Sequence, residues 1–214
     1  MKTAGIRDFF TADFKSTSSY LLYGEEKSGK TALLLSAAAK IAERGGKVVW
    51  IDCGARLHPA RLRQIFPVER LDQLYISQPR TFHEQLETLL NVHDFPPSDA
   101  SLIVCDDFTY LHKLELSGKP STDLPIYRAL SLQAALLKNL AIVRKISVVL
   151  VGLVHSIPAI DAQEPVAARI VTYWSDVVAK VQRGRDASVV MQEKPVAQKI
   201  YFKIVEKGVE FLRF

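Results

Sequence analysis

Two cysteines, two methionines and two tryptophans are all that this 214-residue sequence holds of those types. Cys53 and Cys105 are too few for a disulfide framework and have no partners at metal-ligand spacing, which excludes a disulfide-stapled scaffold and a structural zinc module. There is no internal repeat and no low-complexity tract, so solenoid and fibrous architectures are excluded as well. Long hydrophobic runs are also missing: residues 147–160 form an apolar stretch containing His155, short of the roughly 18 apolar residues that suggest a membrane-spanning helix. Residues 1–20 carry charges throughout where a signal peptide would have an unbroken apolar core. The expectation is a protein of a reducing cytoplasm, neither secreted nor membrane-spanning.

What is present is an ordinary globular composition, with 48% hydrophobic and 24% charged residues. A chain of 214 residues can bury most of its apolar surface and is only slightly longer than a common domain, so one domain is expected. Twenty-eight Lys and Arg against 23 Asp and Glu leave a net charge of +5. That excess suits a polyanionic partner without requiring one.

Hydrophobic periodicity divides the chain into alternating strands and helices. Residues 20–23 read as a strand, and 31–44 as an Ala- and Leu-rich helix stopped by Gly45 and Gly46. A second strand is expected over 47–53, a short helix over 59–66 and a third strand over 71–77. Phe82, Leu86, Leu89 and Leu90 place a helix over 82–92, and 101–106 is a compact apolar strand ending in two acids. Beyond a loop at 117–125, Leu132, Leu136, Leu140 and Val143 mark a long helix over 125–145. Residues 147–154 then form a continuous apolar strand of the kind buried on both faces. Such alternation builds a parallel sheet flanked by helices. After Pro165 the segments 171–182, 188–193 and 199–205 are strand-like with no helix between them, so the sheet is expected to finish antiparallel.

Between the first strand and the first long helix, Gly24-Glu25-Glu26-Lys27-Ser28-Gly29-Lys30-Thr31 fits G-x-x-x-x-G-K-[ST] at every fixed position. The chemistry explains the residue types. Backbone N–H groups of such a loop turn inward around phosphate oxygens, and a Cβ at either glycine would obstruct the turn or the ligand. Lys30 supplies a point charge to the β and γ phosphates, and Thr31 offers its hydroxyl to Mg²⁺. The helix that follows aims the positive end of its dipole at the anion. A loop of this kind also needs an acid at the end of a neighbouring buried strand to orient a water on the metal. Leu102-Ile103-Val104-Cys105-Asp106-Asp107 provides it, with Asp106 chosen for the role and Asp107 as the alternative. ATP and Mg²⁺ are the expected cofactors.

The order and spacing of these motifs resemble those of the RecA/RadA recombinase family, especially the archaeal RadA paralogues without an extra N-terminal domain. The resemblance covers nearly the whole chain. Val48-Val49-Trp50-Ile51-Asp52 followed by Pro59-Ala60-Arg61-Leu62 is similar to the family's second strand and the turn into its next helix. Phe82-His83-Glu84-Gln85-Leu86 is similar to the helix after its third strand, and residues 199–209 to its closing strands. The resemblance implies an α/β fold, a RecA-like P-loop NTPase core with a mostly parallel central sheet flanked by helices and antiparallel hairpin strands at the C-terminus. It implies a single RecA-like ATPase domain over 1–214: an N-terminal arm (1–19), the P-loop core (20–160) and a C-terminal β-hairpin region (166–214).

Three departures qualify the expected activity. Cys53 and Gly54 stand where an active recombinase has a Thr-Glu pair whose Glu activates the attacking water. Slow hydrolysis follows, because loss of a general base removes a factor of about 10² to 10⁴ without abolishing binding; Glu25, Glu26 and Asp107 are substitute bases to consider. Gly152 and Leu153, followed by His155, stand where the family has an Asn-Gln pair, which leaves His155 as a possible γ-phosphate sensor. Phe9-Phe10-Thr11-Ala12 resembles the Phe-x-x-Ala motif with which family members grip a neighbouring subunit, and packing against the chain's own core is the competing reading.

Residues 125–160 contain no Asp or Glu but do contain Arg128, Lys138, Arg144 and Lys145. The family's two DNA-binding loops correspond to 113–123 and 156–168. Lys113, Lys119, Arg169, Lys180, Arg183 and Arg185 are the candidate DNA contacts, through phosphate and with single strands preferred. The expected function is an ATP-binding accessory protein of homologous recombination and DNA repair that modulates or assembles with a recombinase. The alternative is an ATP-dependent regulatory or scaffolding subunit, KaiC-like or Elongator-like, that forms an oligomer and does not bind DNA.

Overall fold

A computed structural model of the chain describes residues 6–11, 18–157 and 162–212. Its strands are β1 (Ser19–Gly24), β2 (Lys47–Asp52), β3 (Leu74–Ser77), β4 (Ala100–Asp106), β5 (Ser147–Gly152), β6 (Val154–Ile157), β7 (Ala162–Pro165), β8 (Val177–Gln182), β9 (Ser188–Lys194), β10 (Gln198–Val205) and β11 (Gly208–Phe211). Its α-helices are α1 (Ile6–Thr11), α2 (Lys30–Glu43), α3 (Pro59–Ile65), α4 (Phe82–Asp94), α5 (Tyr110–Glu115), α6 (Pro120–Val143) and α7 (Ala168–Tyr173).

Nine strands form one sheet in the order β11-β10-β9-β8-β1-β5-β4-β2-β3. Every pairing from β8 to β3 is parallel, and every pairing from β8 to β11 is antiparallel. The parallel strands are apolar without alternation because both of their faces are covered. In β1, Tyr20 and Leu22 join a core with α1, α2 and α3 on one side, whereas Leu21 and Tyr23 join a core with α4, α5, α6 and α7 on the other. Val48 and Trp50 face the first core and Val49 and Ile51 the second, as the two-residue period of a strand requires.

Several local expectations change. The third strand begins at Leu74, opposite Val48 of β2, because 68–73 is wound into a 3₁₀ turn. The long helix begins at Pro120, within the expected loop. Proline at the first helical position gives up an N–H that has no helical partner anyway. Asp123 fastens the entry by accepting from Ser117 N (2.9 Å), Ser117 Oγ (2.8 Å) and Gly118 N (3.0 Å).

Residues 171–173, expected to open a strand over 171–182, are instead the end of α7. β8 runs parallel to β1, so the chain must cross back along the sheet before entering it, and this crossover outweighs the β-branched composition. The segment after β5 is a separate two-stranded sheet, β6 against β7; residues 158–161 lie outside the described residues. Among the described residues α6 is the one helix long and apolar enough to span a membrane. Its Leu130, Ala134, Leu137 and Leu140 are buried in the second core.

Phe9 and Phe10 are buried in the chain's own core. The Phe9 ring lies 4.7 Å from that of Tyr20, and the Phe10 ring 5.7 Å from that of Phe211. This is the packing reading; Ala12 falls outside the described residues.

Candidate functional site

The parallel strands bring the loop after β1, the turn after β2 and the acids ending β4 to one edge of the sheet, the edge where α/β folds place their ligands. Gly24 ends β1 against β8 so closely that a Cβ would lie 2.2 Å from Val181 O. Gly29 turns the chain into α2 with φ +105°, and a Cβ there would press on Phe202 and Ile204. The helix then begins with Lys30, and Leu33 N donates to Gly29 O at 2.9 Å.

Lys30 is buried, and its Nζ donates to Gly24 O (2.9 Å), Glu25 O (2.7 Å) and Ser28 Oγ (3.4 Å). Burial lowers its pKa, against the opposing pull of Asp107 and Asp106. Thr31 Oγ1 donates to Asp106 Oδ2 at 2.8 Å, which joins the loop to the end of β4. Burial pushes Asp106 up to about 7; the Thr31 hydrogen bond and Lys30 act in the opposite direction, while Asp107 and Asp52 reinforce it. Asp107, joined to Asp106 by a cis peptide, is also raised by burial, although Thr109 donates to its Oδ1 from N (3.3 Å) and Oγ1 (3.2 Å).

These groups line a cavity of about 480 Å³, within the size range of small-ligand sites. Glu26, Lys27, Ser28, Gly29, Lys30 and Thr31 form one wall, and Asp106 and Asp107 another. A third wall was not expected from the sequence: Arg56, His58 and Arg61 from the β2–α3 segment, with Leu153 and Ile204 closing the rim. Their signal was the run of basic residues straight after the second strand. Asp52 shapes this wall by accepting from Arg56 N (2.7 Å), Leu57 N (3.2 Å) and Gln78 Nε2 (3.0 Å).

Other expected residues lie elsewhere. Glu25 does not line the cavity and accepts from Gln163 Nε2 of β7 at 2.6 Å. His155 is exposed on β6 and does not line the cavity. Its Nε2 pairs with Glu164 Oε1 at 3.1 Å, because the antiparallel register sets His155 directly opposite Glu164.

Of the candidate DNA contacts, Lys113 on α5 and Lys119 at the start of α6 flank a short exposed turn in place of the long loop expected over 113–123. Lys180, Arg183 and Arg185 share the β8–β9 hairpin, whose turn leaves the sheet beside Gly24, and Arg169 is exposed at the start of α7.

A parallel sheet with a Gly-rich phosphate-type loop opening a helix, and an acid from a neighbouring strand bound to the Thr of that loop, defines a P-loop nucleotide-binding protein. Within that class the chain belongs to the RecA family: the RecA N-terminal domain matches residues 19–211. It is similar to the DNA repair and recombination protein RadB of Methanococcus maripaludis, at 27% identity over 198 residues that span 89% of this chain and 90% of that protein. The RadB of Methanocaldococcus jannaschii is 26% identical over 197 residues, spanning 89% and 92%. That of Methanothermobacter thermautotrophicus is 29% identical over 171 residues, spanning 76% and 71%.

Proposed function

We propose that this chain is an ATP-binding accessory protein of homologous recombination and DNA repair, which binds MgATP, hydrolyses it slowly, and acts on DNA together with a recombinase. The observation that carries the reading is the Thr31–Asp106 hydrogen bond at the mouth of the phosphate loop. It brings together the hydroxyl that would ligate Mg²⁺ and the carboxylate that would orient a water on it. Mg²⁺, when bound, neutralises charge on the β and γ phosphates. Lys30, released from the carbonyls of Gly24 and Glu25, would reach the same phosphates.

Slow hydrolysis is assigned to Gly54, which brings no carboxylate to the cavity. Asp106 and Asp107 are buried acids held by Thr31 and Thr109. DNA contact is assigned to phosphate pairing by the β8–β9 hairpin and Arg169, at the same edge of the sheet as the nucleotide. The free thiols Cys53 and Cys105, with sulfurs 3.6 Å apart, suit a reducing cytoplasm.

The test is fluorescence anisotropy of a labelled single-stranded oligonucleotide, with and without MgATP, over a salt series, beside Lys30→Ala as the nucleotide-binding control. Binding that weakens with salt and responds to MgATP only when Lys30 is intact is the expected result. No DNA binding, with oligomers that form on addition of MgATP, would replace this reading with that of a scaffolding subunit.

A further inference from the structure

Arg56 is a cation on the wall of the nucleotide cavity that the phosphate-loop chemistry does not use. Its position depends on Gly54: a Cβ at residue 54 would lie 3.1 Å from Arg56 Cγ, 3.2 Å from Arg56 Nε and 3.3 Å from Asp107 Cβ. The absence of a side chain at 54 therefore makes room for the stem of the guanidinium. The backbone is fixed beneath it, since Asp52 accepts from the N–H groups of both Arg56 and Leu57. The guanidinium lies 5.9 Å from the centroid of the Tyr110 ring, and its terminal nitrogen sits 2.7 Å from Glu26 Oε1 in the phosphate loop.

Two features point to a phosphate oxygen as the natural partner of this group. A guanidinium has five N–H donors in a fixed fork that matches phosphate, and Glu26 engages one end of it. Arg56 also lines the same cavity as Lys30, Thr31, Asp106 and Asp107 and lies close enough to Lys30 to oppose its charge. Lys27, Lys30, Arg56 and Arg61 line this space with the carboxylates of Glu26, Asp106 and Asp107, and the excess of cations favours a dense anion there. Position selects the terminal phosphate. Backbone groups entering the helix cradle the inner phosphates, whereas Arg56 pairs with Glu26 in the first half of the loop and lies near enough to Asp107 for its charge to act on that carboxyl.

We propose that Arg56 binds the γ-phosphate of a nucleoside triphosphate, exchanging Glu26 for it, and so makes the site select triphosphate over diphosphate. This rests on the nucleotide-binding reading of the phosphate loop. A cation in the space above Gly54 strengthens ground-state binding of the triphosphate and activates no water, so the site is built to hold ATP more than to turn it over.

The experiment titrates a non-hydrolysable ATP analogue and ADP, each with Mg²⁺, into the wild-type chain, Arg56→Ala and Arg56→Lys. Arg56→Ala is expected to weaken the triphosphate analogue by about 10- to 100-fold and ADP by less than about threefold, the scale of one lost charge-assisted pair. Arg56→Lys should recover part of the difference, since charge remains without the fork. Equal loss for the two nucleotides, or no loss for either, in a variant with unchanged denaturation midpoint would overturn the proposal. A wild-type chain that binds neither nucleotide would instead overturn the phosphate-loop reading beneath it.

Discussion

His112 on α5 is fully buried, its ring set edge-on to Phe82 at 5.6 Å and Tyr127 at 4.9 Å, and among the described residues neither ring nitrogen has a hydrogen-bond partner. Burial lowers its pKa from 6.5 to about 4, with the Asp123 carboxylate pulling the other way. The unfolded chain therefore takes up this proton at a higher pH than the folded one. Stability from His112 is complete above about pH 6.5 and is lost as pH falls toward 4, by about 3 kcal/mol in all. The denaturant midpoint of His112→Phe should lose that part of the acid sensitivity; an unchanged difference between pH 5 and pH 7.5 would contradict the assignment. Asp106 behaves in the opposite sense. With its folded pKa raised from 3.8 to about 7, its contribution is complete below pH 4 and is lost as pH rises through 7. Because Mg²⁺ needs the ionised carboxylate, nucleotide affinity should rise between about pH 6 and 8 with proton release. Calorimetry in two buffers of different ionisation heat should detect the proton, and Asp106→Asn should abolish it.

At the scale of elements, α1 decides between two uses of the same residues. Phe9 is buried against Tyr20 and Phe10 within this chain, so Phe9→Ala should destabilise the fold by about 3 to 4 kcal/mol, read as a lowered urea midpoint. A midpoint within about 0.5 kcal/mol of wild type would fit a residue reserved for another subunit. Elements carried by strong periodicity, such as α2, α4, β4 and β5, were legible from their apolar spacing alone. Those that depend on a neighbour were not. β3 starts where the 3₁₀ turn over 68–73 ends, α7 is helical because of the crossover into β8, and α6 extends over Pro120 because Asp123 holds its entry.

For the molecule as a whole, parallel pairing of β8 with β1 sets the β8–β9 turn beside the phosphate loop, and Gln163 on β7 reaches Glu25. Nucleotide loop, β6–β7 hairpin and basic β8–β9 turn thus share one edge. Arg183→Ala combined with Arg185→Ala should weaken single-stranded DNA binding similarly across sequences and reduce the salt slope by about 1 to 2. Loss that depends on sequence, with an unchanged slope, would show that the hairpin reads bases and does not pair with phosphate.

The phosphate-type loop, the acid at the end of β4 and the α/β class were all legible before folding, because each depends on residue types at fixed local spacing that no distant contact can supply. Which other groups face the cavity beside that loop follows from pairing across the sheet. Arg56 and Asp107 converge on Gly54 because β2 and β4 pair in register with Asp52 beside Asp106. His155 is turned toward Glu164 because β6 pairs with β7. The physical reason is the same in both cases: the register between separate strands sets which side chains meet, and it is fixed by pairing across the sheet and not by spacing along the chain.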